Sequence, residues 1–178
     1  MGDILTPAFI ISVLAAAIAA GTALLYACLG ELITERAGIL NLGIEGIMLM
    51  GALSGVAGCL WSGNAWVGAG TALVAGALMA AIHAVLTVGL RANQVVSGLA
   101  LTIFGTGLSA FLGRNIVGMP PPDSFRRIDV PGLAEIPVVG RILFQQSALV
   151  YISFALTAFL WWYIFRTRAG LRLRALGE

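Results

Sequence analysis

The sequence predicts an all-α membrane protein: a polytopic bundle of about five spans, N-terminus outside and C-terminus inside. Three observations predict it. The 178 residues are 60% hydrophobic and 10% charged, whereas soluble domains are nearer half apolar and a quarter charged. Five apolar runs approach the roughly 20 helical residues that a bilayer crossing takes. The arginines collect in the breaks on one side of those runs, which the positive-inside rule makes cytoplasmic.

The runs cover residues 8–29, 39–60, 65–90, 95–112 and 147–165. The first lacks a basic leader and a small-residue cleavage pattern, so it is expected to be retained as a span. The break at 30–38 carries Glu31, Glu35 and Arg36. The break at 61–66 is a polar turn flanked by Trp61 and Trp66, side chains suited to the membrane interface. Residues 91–93, Arg-Ala-Asn, make the next turn. A long loop, 114–146, follows; Pro120, Pro121 and Pro122 exclude a regular helix there. Arg36 and Arg91, with Arg166, Arg168, Arg172 and Arg174, fall on one side. Arg114, Arg126, Arg127 and Arg141 are diluted over the long loop and offset by Asp123, Asp129 and Glu135.

Small residues recur every fourth position: Ala15, Ala19, Ala23 and Ala27 in the first run; Gly68, Ala72, Gly76, Ala80 and Ala84 in the third; Gly105, Ser109 and Gly113 in the fourth. Gly51 and Gly55 form a GxxxG pair in the second. Such spacing lets helix backbones approach closely in lipid, so Gly51, Gly55, Gly68 and Gly76 are predicted packing positions. The pattern suits a compact bundle rather than a single anchor.

Several function classes lose support. A net charge of +2 does not suit a nucleic-acid partner. Cys28 and Cys59 are isolated, so no metal, redox or cofactor chemistry is expected. No phosphate loop or nucleophile–base pair is present. The chain is not expected to be an enzyme, and any ATP chemistry must belong to another chain.

Four polar features remain. Asn41 and Glu45, four residues apart in the second run, are expected to share a helix face, with glycines at 38, 43, 46, 51 and 55 around them. A carboxylate in lipid needs water, a partner or a ligand, and the glycines weaken the helix, which together suggest a broken or closely packed helix lining a cavity near a substrate path. The competing reading puts Glu45 near the inner interface, paired with Arg36. Asn93, Gln94 and Ser97 open the fourth run and could line the same cavity, unless Asn93 is simply a helix N-cap. His83, the sole histidine, reads better as a hydrogen-bonded packing residue than as a proton relay. Finally, 166–178 is a short basic amphipathic segment, with Ala169, Leu173 and Leu176 as its apolar stripe. It suits a lipid surface or a docking contact with a cytoplasmic partner.

Four ordered stretches resemble one family. ERAGILNLGIEGIMLMGA (35–52), RANQVVSGLALTIFGTGLSAFLG (91–113), IDVPGLAEIPVVGRILFQQSALVYISF (128–154) and RTRAGLRLRALGE (166–178) are similar to blocks of the permease subunits of bacterial ABC importers. The branch resembled is the branched-chain amino acid/ribose-type one that handles nucleosides and simple sugars. The resemblance implies a single permease domain over 1–178 in the bacterial inner membrane, with a periplasmic loop at 114–146 and a cytoplasmic coupling segment at 166–178. It implies ABC ATPase subunits, a second permease subunit and a periplasmic or lipoprotein substrate-binding protein as partners, with membrane lipid around them. Asn41, Gly43, Glu45 and Gly46 fall in its signature near the path. Gly170, Arg172, Arg174, Ala175, Gly177 and Glu178 fall in its coupling segment. Members of that family continue beyond the Gly-Glu pair with Asn-Pro and further spans, so the sequence is expected to be the N-terminal part of a permease.

The expected function is a nucleoside path in an ATP-driven importer, because the 128–147 loop and the 35–46 run look most like that branch. A simple-sugar permease is the alternative. A structural or regulatory membrane fragment that binds partners without transporting, and an ion- or proton-coupled carrier using Glu45 and His83, are the rivals from other classes.

Overall fold

A computed structural model describes residues 6–177 of the chain. Its helices are α1 (Pro7–Arg36), α2 (Ile44–Ser62), α3 (Ala65–Ala84), α4 (Gln94–Gly113), α5 (Val139–Leu143), α6 (Ala148–Arg166) and α7 (Arg168–Gly177). A π-helical turn, Val85–Gly89, extends α3. Two short strands, β1 (Arg127–Asp129) and β2 (Gln145–Ser147), pair antiparallel with Ile128 opposite Gln146. Among the described residues, five helices are long and apolar enough to cross a membrane: α1, α2, α3 with its π turn, α4 and α6.

The largest departure from the predicted runs is at the first break. Residues 30–36 belong to α1, because Glu, Leu and Arg are good helix formers and charge alone does not end a helix. The helix ends instead at Gly38, which takes φ +82°. The Gly38 amide donates to the Glu35 carbonyl and the Ile39 amide to the Thr34 carbonyl, both at 2.9 Å. This is a Schellman motif, and its left-handed position favours glycine. In consequence α2 starts five residues later than the predicted run, at Ile44. Within the long loop, the pairing of β1 with β2 and the short α5 are additions to the predicted elements, and Ser147 lies in β2 rather than in the fifth span.

Contacts divide the chain into two compact units. The first combines the chain up to Gly30 with Phe125–Arg172. Here the Tyr26 hydroxyl donates to the Leu149 carbonyl at 2.7 Å. Gln146, only 4% exposed, donates through Nε2 to the carbonyls of Ile142 and Ala15 at 2.7 and 3.1 Å. Val150, Ser153 and Ile164 are its most deeply buried side chains. Of the small-residue row in α1, Ala19 and Ala23 remain exposed.

The second unit combines Glu31–Ser124 with the residues from Leu173 onward. Its α2 packs on α3 along the glycine rows. A Cβ added at Gly68 would lie 2.6 Å from the Gly55 carbonyl oxygen, so these two backbones touch. At Gly55 it would meet the Ala72 Cβ at 3.3 Å. At Gly51 and Gly76 it would make only ordinary contact, 3.6 Å from the Ala72 carbonyl and from Ile47. Large apolar side chains face outward; Leu73 is 73% exposed and Ile103 75%. That exposure suits lipid, where close backbone packing rather than apolar burial holds helices together.

Candidate functional site

The second unit's most unusual segment is 37–43, a non-helical stretch between two apolar helices. In lipid, unpaired backbone groups cost several kcal/mol each, so such a stretch must find its partners elsewhere in the protein or in a water-lined cavity. Here other elements supply them. The Leu40 amide donates to Gln94 Oε1 at 2.7 Å, and Gln94 Nε2 reaches the Gly38 carbonyl at 3.4 Å. The Asn41 amide donates to Glu31 Oε1 at 2.8 Å. Thr102 Oγ1 donates to the Leu42 carbonyl at 2.9 Å, and the Gly43 amide donates to Asn41 Oδ1 at 2.9 Å.

The fit is close because α4 presents glycine to this stretch. A Cβ at Gly98 would lie 2.7 Å from the Leu42 nitrogen. A Cβ at Gly105 would lie 2.6 Å from the Gly46 Cα, and one at Gly46 2.5 Å from the Leu101 carbonyl. Gly98, Thr102 and Gly105 thus form one face of α4, spaced four and then three residues apart, laid along 42–46. The glycines of the 38–55 run therefore do different jobs. Gly38 ends a helix, while Gly46 and Gly55 lie inside regular α2 and permit close backbone approach.

The predicted path residues separate accordingly. Asn41 and Glu45 do not share a helix face, because Asn41 precedes α2 and its side chain turns inward to hold Gly43. Asn41 is buried, whereas Glu45 is exposed in the first turn of α2, where a carboxylate favours the positive end of the helix dipole. Asn93 is the N-cap of α4: its Oδ1 accepts from the amides of Val95 and Val96 at 3.0 and 3.2 Å. Ser97 is buried against α3, with Oγ 3.1 Å from His83 Nδ1, and lines an apolar cavity with Ile82, Leu86 and Phe104. His83 is 3% exposed; its Nδ1 meets Ser97, while its buried Nε2 has no hydrogen-bond partner among the described residues. Gln94 alone of the three reaches the broken stretch.

In the 166–178 segment, Thr167 Oγ1 accepts from the Gly170 amide at 3.0 Å and so caps α7. Gly170 abuts the Tyr163 and Ile164 carbonyls in the first unit. Arg172 is exposed and Arg174 half-buried. The predicted apolar stripe is only partly sheltered: Leu173 is half-buried, but Ala169 and Leu176 are exposed. In the second unit Gly177 touches the backbone of residues 36–38. Glu178 lies outside the described residues.

Sequence reasoning misses Glu31, Thr102 and Gly98. Gly98 stands seven residues, two helical turns, before Gly105, so a seven-residue spacing would find it where the four-residue row, which falls on Leu101 and Ser97, does not. Glu31 carries no such signal, since its partner lies ten residues on across a helix end.

Residues 10–178 match the family model described as branched-chain amino acid transport system / permease component. The chain belongs to this permease family. It is 41% identical over 177 residues to the "Putative glucose ABC transporter permease protein TsgC13" of Haloferax volcanii, covering 96% of this chain and 53% of that relative. It is 39% identical to a nucleoside ABC transporter permease protein of Lactococcus lactis, covering 88% of this chain and 53% of that one. It is 36% identical to a guanosine ABC transporter permease protein of Bacillus subtilis, covering 87% and 52%. The chain thus spans about half the length of the curated relatives it matches. No solved structure matches it. As a permease with five apolar helices of spanning length, it is a multi-pass membrane protein.

Proposed function

We propose that this chain forms part of the substrate path of an ATP-driven nucleoside importer in the bacterial plasma membrane. The observation that carries the reading is the 37–43 stretch, whose broken backbone is held by Glu31, Gln94 and Thr102. A non-helical backbone so placed lines a path in many transporters. Glu45, exposed just beyond it, is the group offered to substrate hydroxyl or amine donors. The chain itself is passive. ABC ATPase subunits dock on α7 through Arg172 and Arg174, a second permease subunit completes the path, and a substrate-binding protein meets the 114–146 loop. This places the N-terminus outside and α7 in the cytoplasm, as the arginine distribution favours.

Nucleosides are favoured by two relatives whose names specify them, together with the 35–46 and 128–147 stretches. A simple-sugar substrate is the second reading, favoured by the relative named for glucose. Competition uptake through the intact permease and its partners tests the choice, with purine nucleosides, pyrimidine nucleosides, pentoses and glucose as competitors. Nucleosides are expected to compete and sugars not. Competition by glucose or a pentose alone would replace the nucleoside reading with the sugar one. Arg172→Glu combined with Arg174→Glu is expected to abolish ATPase recovery while the protein still inserts; unchanged recovery would remove the docking role of α7.

A further inference from the structure

We propose that the backbone contact between Gly177 and residues 36–38 is the link that carries movement of α7 into the broken stretch 37–43. The proposal rests on the reading of α7 as the ATPase-docking segment and names the residues that transmit its motion. The nearest atoms across the contact are main-chain atoms. A Cβ at Gly177 would lie 2.5 Å from the Arg36 carbonyl oxygen and 3.1 Å from the Gly38 nitrogen. From the other side, a Cβ at Gly38 would lie 3.3 Å from the Gly177 Cα and 3.6 Å from the Leu176 carbonyl oxygen. Long side chains absorb a displacement by changing rotamer, whereas touching backbones have no such slack.

What lies beyond the contact is equally committed. The amides of Gly38 and Ile39 close the end of α1. The next two amides, of Leu40 and Asn41, are held by Gln94 and Glu31. Leu42 is then fixed on Thr102 and crowded by Gly98. A shift of α7 toward 36–38 therefore has one continuous chain of hydrogen bonds and backbone contacts to follow, from Gly177 to the face of α4. Energetic coupling between sites requires a contiguous physical connection of this kind. The same contact explains the glycine at 177, a weak helix former at the end of an otherwise helix-favouring segment.

A reversible cross-link tests it. Gly38→Cys and Gly177→Cys are introduced together into the intact permease, with Cys28→Ala and Cys59→Ala removing the native thiols, and the complex is assembled with its ATPase. Oxidation is expected to form the bond and to cut uptake about tenfold or more, within the usual range of coupling energies. ATPase association is expected to persist and hydrolysis to stay within about twofold, and reduction is expected to return uptake to that of the unoxidised pair, itself below the parent because each added Cβ crowds the contact. Failure of the bond to form, or uptake indifferent to a formed bond, would overturn the link. Loss of ATPase association together with uptake would also overturn it, since the contact would then serve docking. Should the cysteine pair not assemble, Gly177→Ala is compared with Gly107→Ala, whose Cβ meets no atom within 4 Å. The first is expected to lose uptake with hydrolysis retained and the second to behave as the parent; equal uptake in both would overturn the link. If the parent complex recovers no ATPase through α7, the docking reading fails and the link with it. Docking retained with uptake indifferent to the bond removes the link alone.

Discussion

Two of the breaks between the apolar helices of the second unit, at 37–43 and at 90–93, are built in opposite ways. The turn at 90–93 closes its hydrogen bonds locally. The amides of Leu90 and Ala92 donate to Val85 and Leu86, each at 2.9 Å, and Asn93 caps the helix it precedes. The stretch at 37–43 closes its own bonds only at its two ends, through the α1 cap and Asn41. Its middle depends on Glu31, Gln94 and Thr102, which lie 10, 54 and 60 residues from the groups they hold. A local turn keeps its shape wherever its helices go. A stretch held from elsewhere keeps its shape only while α4 stays beside it, and so can respond to movement. This difference makes 37–43, and not 90–93, the candidate working part.

Substitutions at four positions, with Gly107→Ala and Asn93→Asp as controls, can break or sharpen this contrast, and the largest effect falls on the crossing that sets α4 against the broken stretch. Gly105→Ala is expected to destabilise the protein by about 3 kcal/mol, because its Cβ meets the Gly46 backbone rather than a movable side chain. Gly107→Ala, in open space on the same helix, is expected to stay within about 0.5 kcal/mol. Thermal unfolding in detergent measures both; similar midpoints would show that α4 is not held as described.

Glu31→Ala is expected to cost about 2 kcal/mol, since the Asn41 amide loses its acceptor in a part-buried setting. Amide exchange should quicken at 40–43 and remain unchanged at 90–93. Equal quickening in both would erase the distinction drawn between them.

Asn93→Ala is expected to cost about 1 kcal/mol, the usual worth of an N-cap, with Asn93→Asp close to the parent. Its exchange effect should be confined to the first turn of α4. Spread of that effect to 40–43 would mean that Asn93 contributes to the broken stretch.

The smallest structural effect is expected for Glu45→Ala, within about 0.5 kcal/mol, because the carboxylate is exposed at a helix start. Uptake through the intact permease is nevertheless expected to fall while expression holds. Normal uptake would leave Glu45 as a helix-terminal residue with no part in the path.

The contrast between the breaks also explains which features are legible in the amino-acid sequence. The helical class, the spans and the turn at 90–93 follow from apolar run length and from an asparagine placed before a helix, both local properties. The glycines at 51, 55, 68 and 76 stand out by spacing alone, since one helix face repeats every three to four residues. The shared face expected of Asn41 and Glu45 fails because it assumes helix through 39–43, where hydrophobicity gives no warning of a break. Spacing from Asn93 puts Ser97 on a path, yet its hydroxyl faces His83 on another helix. Spacing reports which residues share a face and leaves open what that face meets.

By itself, then, the sequence determined the all-helical membrane class, the approximate spans, the glycine rows and the family, because apolar length, residue period and ordered motifs are written along the chain. Only the tertiary structure decided that α1 runs on to Arg36, that 37–43 is non-helical, and that Glu31, Gln94 and Thr102 hold it. The physical reason is that a backbone amide takes whichever acceptor folding brings within reach, and for Leu40 that acceptor is a side chain 54 residues away.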